Sequence, residues 1–181
     1  MLRLLNCHLM IDLYVKHEEY PSPIGLHIFK DYGVHVHDLD DLYRDFGDLA
    51  VQLNKTPYVT KLLSLLSASC EECIFMDADT VAVRDPAALF NDPLYKDTGL
   101  LLWPDLWHMR AGKSPLRQIF AVPESTDADV RTVDTGQMVV NKKRAWPALV
   151  LALYMQLQPH FFVPLAQALH PQGGPYRVFY C

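Results

Sequence analysis

The sequence predicts an α/β domain with a mainly parallel central sheet, and three observations carry that reading. Strand-like apolar or alternating runs take turns with helix-spaced segments through residues 11–103, the pattern of an α/β fold. The most apolar short run, Cys73-Ile74-Phe75-Met76, suits a central strand covered on both faces. An acidic triplet, Asp77-Ala78-Asp79, ends that run, and open α/β sheets bind ligands beyond the carboxyl ends of their strands. A length of 181 residues fits a single domain, 1–181.

The elements follow in order. Ile11-Asp12-Leu13-Tyr14-Val15 reads as a short strand, and Pro21-Ser22-Pro23 as a break after it. Val34-His35-Val36-His37 alternates as a strand, and Asp38-Leu39-Asp40-Asp41 supplies a turn and helix cap. Residues 57–69 read as a helix entered through Thr56-Pro57, with an apolar stripe of Val59, Leu62, Leu63 and Leu66. Asp85-Pro86 begins a short helix, Asp as cap and Pro at its first position. Gly99 to Trp103 is a strand closed by Pro104. Residues 108–132 form a polar, irregular loop, long enough to suggest function. Asp134-Thr135-Gly136 turns into the strand Gln137-Met138-Val139-Val140. Trp146, Leu149, Val150, Leu153 and Tyr154 recur at helical spacing as a core stripe. Pro171 to Pro175 is a loop.

Composition narrows the function. The net charge is -5 and the densest basic run is only Lys142-Lys143-Arg144, which argues against nucleic acid as a partner. The Met1–Asn6 start is too short for a signal peptide, and Pro147–Leu157 is about half of the ~20 apolar residues a membrane span needs. Cys70-Glu71-Glu72-Cys73 is a lone C-x-x-C, half of a tetrahedral zinc site. The simpler reading is that Cys70 ends a helix and Cys73 opens a buried strand.

Sixteen of the 21 acidic residues are aspartate, a residue suited to caps, turns and hard cations. D-x-D occurs three times: Asp38-Leu39-Asp40, Asp77-Ala78-Asp79 and Asp127-Ala128-Asp129. Capping explains the first, and the third lies in the polar loop. Only the second follows a strongly apolar strand and precedes another apolar stretch, Val81-Ala82-Val83. Residues i and i+2 of an extended chain point to one side, so the carboxylates of Asp77 and Asp79 can share one divalent cation. Mg²⁺ and Mn²⁺ favour oxygen ligands and share them with substrate phosphates. Such a metal offsets the charge that develops on a diphosphate leaving group.

These residues carry a resemblance. Phe75-Met76-Asp77-Ala78-Asp79-Thr80-Val81, then Arg84-Asp85-Pro86 and Leu89-Phe90, resembles the fungal MNN1-type α-1,3-mannosyltransferase family, glycosyltransferase family 71. Thr98-Gly99 to Trp103-Pro104-Asp105, Asp134-Thr135-Gly136-Gln137 and the Trp146–Tyr154 helix agree in order, so the similarity runs over about residues 55–157. The resemblance implies a GT-A fold, Rossmann-like, incomplete at both ends. It implies transfer of mannose from GDP-mannose to a glycan acceptor with retention, aided by Mn²⁺ (or Mg²⁺), in the Golgi lumen. Asp77 and Asp79 match the metal and nucleotide-sugar motif, with Ala78 between them. Lys61 matches a lysine of the preceding helix and would face the phosphates, although a solvated helix lysine explains it equally well. Trp103 and Asp105 would line the sugar pocket, although core packing also explains Trp103. Asp134, Gly136 and Gln137 match a segment that usually reads Glu-Ser-Gly-Gln, placing Asp134 and Gln137 in catalytic roles and Gly136 against the donor. The family's membrane anchor, first strand and late Gly-Asp-Lys-type segment have no counterpart here, and His160 or His170 is left as a candidate third ligand.

Two rival functions stand beside this one. Asp77-Ala78-Asp79-Thr80-Val81 also resembles the first motif of haloacid-dehalogenase-type phosphotransferases, with Asp77 as nucleophile. That family needs a later acidic pair, and Asp127 and Asp129 lie in a loop. The missing flanks also fit an inactive, glycan-binding transferase relic. His35 and His37 share a strand face, which could suggest a second metal site, although an ordinary exposed strand explains them more simply.

Overall fold

Two small sheets, held together by helices, make up the described part of the protein. The structure is a computed structural model and describes residues 1–44, 59–108, 131–158 and 160. The readings of Thr56-Pro57, the Asp127–Asp129 pair, most of the 108–132 loop, His170 and the 171–175 loop fall outside these residues.

The first sheet is a parallel pair. Strand β1 (Ile11–Val15) is joined by helix α1 (Pro23–Asp31) to β2 (Val34–Asp38), with Ile11 opposite Val34 and Val15 opposite Asp38. The expected break at Pro21-Ser22-Pro23 is the start of α1. The Ser22 hydroxyl accepts from the Gly25 amide at 3.3 Å, and Pro23 occupies the first turn, where its missing N–H costs nothing. Asp38 caps helix α2 (Leu39–Arg44) by accepting from the Asp40 amide at 2.9 Å, so the first D-x-D is a cap. Its other oxygen meets His17 Nδ1 at 2.7 Å. That hydrogen bond and charge raise the His17 pKa and lower that of Asp38. His37 Nε2 lies 3.0 Å from the Asp12 carboxylate and stacks on Tyr14, and His35 Nδ1 lies 3.7 Å from the same carboxylate.

Helix α3 (Val59–Ser67) shows why the apolar stripe reads as it does. Val59 and Leu63 are fully buried with Leu39 and Tyr43, which ties the helix to the first sheet. Leu62 and Leu65 turn to the second sheet and pack with Cys73, Val140 and Leu149. A disulfide joins Cys70, just past α3, to Cys73 in strand β3 (Glu72–Met76). The C-x-x-C thus staples a helix end to a buried strand start.

The second sheet has the order β3-β5-β4, with β4 spanning Leu100–His108 and β5 spanning Arg131–Asn141. Both pairings are antiparallel, which corrects the expected mainly parallel sheet. The physical reason is an inserted return strand. Because β3 and β4 each oppose β5, they point the same way, as their alternation with helices suggested; β5 fills the gap between them. An apolar run carries no direction, so the sequence could not show this. Strand β3 is therefore an edge of the described sheet rather than its centre, yet both its faces are covered. Cys73 and Phe75 meet α3 and helix α5 (Lys142–Leu157), while Ile74 packs with Tyr95, Leu89 and Phe90.

Other elements refine the reading. Asp85 caps a 3-10 helix, Pro86–Asn91, through the Ala87 amide at 3.0 Å. A further helix, α4 (Pro93–Thr98), is capped by Asp92 and ends on Gly99 at φ 74°, a left-handed position that favours glycine. Val81 and Val83 are exposed rather than strand core. On α5, Leu149 is buried and Leu153 packs inward, but Trp146, Val150 and Tyr154 form the neighbouring i, i+4, i+8 row and are exposed. No described helix is long and apolar enough to cross a membrane.

Leu63 sits where the two halves meet. Leu63→Ala should cost about 2–5 kcal/mol of unfolding free energy, as for a buried leucine that leaves a cavity. Urea denaturation should show a lower midpoint with an unchanged slope.

Candidate active site

The acidic motif lies where β3 ends, and its local shape departs from the extended spacing expected of it. The Thr80 amide donates to the Asp77 carbonyl at 2.9 Å, closing a turn over Asp77-Ala78-Asp79-Thr80. Asp77 keeps the side-chain alternation of β3 and follows Cys73 and Phe75 onto the α3 face. Ala78 and Asp79 ride on the turn and are exposed. Asp77 is therefore set by strand pleating and Asp79 by the turn, so the pair does not share the i, i+2 spacing of an extended chain.

Strand β5 supplies the other half of the site. Its register against β4 jumps from Leu102 opposite Met138 to Trp103 opposite Asp134. Residues 135–137 form a bulge, not the isolated turn expected from Asp134-Thr135-Gly136. Bulges re-aim side chains and backbone at sheet ends. The Gly136 carbonyl accepts from the Asp77 amide at 2.8 Å and from the Thr80 hydroxyl at 3.4 Å. The Gly136 amide donates to Asp134 Oδ1 at 2.8 Å, which fixes that carboxylate in place.

Lys61 completes the cluster from α3. Its Nζ donates to Asp77 Oδ2 at 2.6 Å, with both side chains about 30 % exposed, and reaches the Thr135 carbonyl at 3.5 Å. The Phe75 ring lies beneath the ammonium, 5.9 Å from centroid to Nζ. A charge-assisted bond of this length between half-buried groups holds both side chains in a defined place.

Glycine at 136 has a steric reason. A Cβ there would lie 3.1 Å from Asp134 Oδ1 and 3.5 Å from Asp77 Oδ2. The two carboxylates flank one small space that a side chain would fill. Asp77 and Asp134, with Asp79 on the adjoining turn, offer carboxylate oxygens of the kind that suit Mg²⁺ or Mn²⁺. As they stand the three are not drawn into one ligand set: among the described residues the His/Cys/Asp/Glu trio whose ligand atoms lie within 4.8 Å of one another is His17, Asp38 and Asp40.

The structure thus brings together Lys61, Asp77, Asp134 and Gly136. Gln137 and Trp103 lie elsewhere: both line a cleft of about 580 Å³ on the opposite side of the sheet, under residues 80–92. Asp105 accepts from its neighbour's amide, Leu106, at 2.6 Å, in the irregular part of β4. His160 is exposed. The sequence reading gave no role to Thr80, whose hydroxyl anchors the bulge, although its place directly after the motif was a signal.

With this geometry in hand, the comparisons with known proteins define the class. Residues 1–129 match a family described as "Mannosyltransferase putative", and the chain belongs to that family. Among its relatives is alpha-1,2-mannosyltransferase MNN21 of Candida albicans, 25% identical over 91% of this chain and 31% of that protein. Alpha-1,2-mannosyltransferase MNN24 of the same organism is 29% identical over 58% of this chain and 19% of its own length. Alpha-1,2-mannosyltransferase MNN5 of Saccharomyces cerevisiae is 42% identical over 30% of this chain and 9% of its own. The chain spans about a third of the first two relatives it matches. No solved structure matches it significantly.

Gly136→Ala tests the packing of the site. The added methyl must push the Asp134 carboxylate away by a few tenths of an ångström. The φ of Gly136 lies outside the left-handed region, so unfolding free energy should fall by no more than about 1–2 kcal/mol, within the ordinary range for point substitutions. Chemical shifts of Asp134 and Asp77 should move, while those of the α1 and α2 region stay fixed.

Proposed function

We propose that this chain is the part of a mannosyltransferase that holds the activated donor, with Lys61, Asp77, Asp79 and Asp134 around the diphosphate and the departing sugar. The observation that carries the reading is the convergence of Lys61, Asp77 and Asp134 on the space left by Gly136. The donor is GDP-mannose and the acceptor a glycan. The α-1,2 names of the relatives point to an α-1,2 linkage in place of α-1,3, with retention at the anomeric carbon.

Asp77 and Asp79 would hold a Mn²⁺ or Mg²⁺ ion, which supplies positive charge to the diphosphate as its bond to the sugar breaks. The remaining work falls to the chain's own groups. Lys61 is tied to Asp77 in the free protein, so the ammonium is already at the site and offers its other N–H donors to phosphate oxygens. Asp134, held by the Gly136 amide, presents negative charge beside the anomeric carbon, where positive charge grows in the transition state. The anomeric carbon–oxygen bond to GDP breaks, a bond to an acceptor hydroxyl oxygen forms on the same face, and that hydroxyl's proton passes to the departing phosphate oxygen of GDP. The Cys70–Cys73 disulfide suits an oxidising lumen such as the Golgi. The phosphotransferase alternative for Asp77 gains nothing from the family match.

Calorimetry on the whole chain tests the proposal. GDP-mannose should bind with Mn²⁺ and lose at least tenfold in affinity without it, a change of about 1.4 kcal/mol. Asp79→Asn, on an exposed turn, should reproduce that loss with unfolding unaffected. Metal-independent binding, or equal binding by Asp79→Asn, would refute the assignment.

A further inference from the structure

Sheet alternation at the site puts consecutive residues on opposite faces. Asp77 and Lys61 lie on the α3 side; Met76 and Gln137, paired across β3 and β5, line the cleft on the other side. At about 580 Å³ the cleft falls within the range of small-molecule sites, ~300–1,000 Å³. Its floor is Ile74 and Met76, one wall is Trp103, and the chain from Thr80 to Asp92 forms the other. Cleft and charged cluster thus share one sheet end, with the Asp77–Thr80 turn between them.

The polar groups of the cleft fall into two sets. Asp85 and Asp92 are already engaged as helix caps, through the Ala87, Leu94 and Tyr95 amides. The Gln137 and Asn91 amides and the Arg84 guanidinium have no polar partner among the described residues. Two carboxylates against one guanidinium leave the wall net negative, which disfavours a diphosphate. Neutral amides, one cation and a partly buried indole suit a neutral, hydroxyl-rich ring: the amides and guanidinium meet hydroxyls, and the indole covers an apolar ring face.

We infer that this cleft is the acceptor subsite and takes a neutral hexopyranoside of the glycan, across the sheet end from the diphosphate. The inference rests on the donor assignment above and deepens it: Gln137 and Trp103 serve the acceptor, and Lys61, Asp77 and Asp134 serve the donor. A saccharide in the cleft can send one hydroxyl past the Asp77–Thr80 turn toward the donor sugar.

The test uses the full 181-residue chain, an α-1,2-linked mannobiose as probe, and NMR titration into the millimolar range. Methyl resonances of Ile74, Met76 and Val81 should shift on titration. Trp103→Leu and Gln137→Leu should each weaken mannobiose binding at least tenfold while GDP binding with Mn²⁺ stays within about twofold. Arg84→Ala, at an exposed position, provides a third variant that leaves the core intact should Trp103→Leu fail to fold. Absence of mannobiose binding, shifts confined to residues away from the cleft, or equal binding by the folded variants would overturn the inference. So would variants that lose GDP and keep mannobiose. Failure of the wild-type chain to bind GDP would instead defeat the donor assignment, and the mannobiose result would be read independently of it.

Discussion

Everything distinctive about this site depends on one backbone hydrogen bond, from the Asp77 amide to the Gly136 carbonyl at 2.8 Å. It is the last rung between β3 and β5, and it joins the acidic turn to the bulge. Because the bond is made by backbone, it fixes position whatever the side chains do. The same carbonyl takes the Thr80 hydroxyl, so the turn is held at both ends. With those two loops locked together, the Asp134 and Asp77 carboxylates must face one small space, and only glycine at 136 leaves that space open.

Around this bond the sheet divides labour between its faces. On one face, α3 and α5 pack over Cys73 and Val140 through Leu62, Leu65 and Leu149, and α3 also delivers Lys61 to Asp77. A charge on a packed helix is better placed than one on a loop. The other face is covered near its base by Tyr95, Leu89 and Phe90, and is left open at the Trp103–Gln137 end. Two substrates of opposite character, an anionic donor and a neutral acceptor, need two such environments within reach of each other. The disulfide at the foot of β3 ties the helix carrying Lys61 to the strand carrying Asp77.

Much of this was legible in the sequence where local physics decides. The apolar run of β3, the α3 stripe and the Asp38 and Asp85 caps follow from periodicity and turn chemistry. The acidic motif stood out because an apolar strand preceded it. What escaped was relational. Nothing in Gln137–Val140 says that it runs against its neighbours, since strand direction is set by the path of the whole chain. The bulge at 135–137 exists only in register with β4. Gln137 stands next to Gly136 in sequence, yet alternation sends it to the other face. Likewise Trp146, Val150 and Tyr154 have helical spacing but lie on the row that the described residues leave exposed; spacing reports a face, not what covers it.

Crystals of the chain soaked with Mn²⁺ and GDP, with anomalous diffraction at the manganese edge, test the central claim most directly. The account predicts one anomalous peak against the Asp77 and Asp79 carboxylates beside Gly136, with the diphosphate reaching Lys61. A peak at the His17, Asp38 and Asp40 group instead, or GDP bound in the Trp103 cleft with no ion at Asp77, would contradict it.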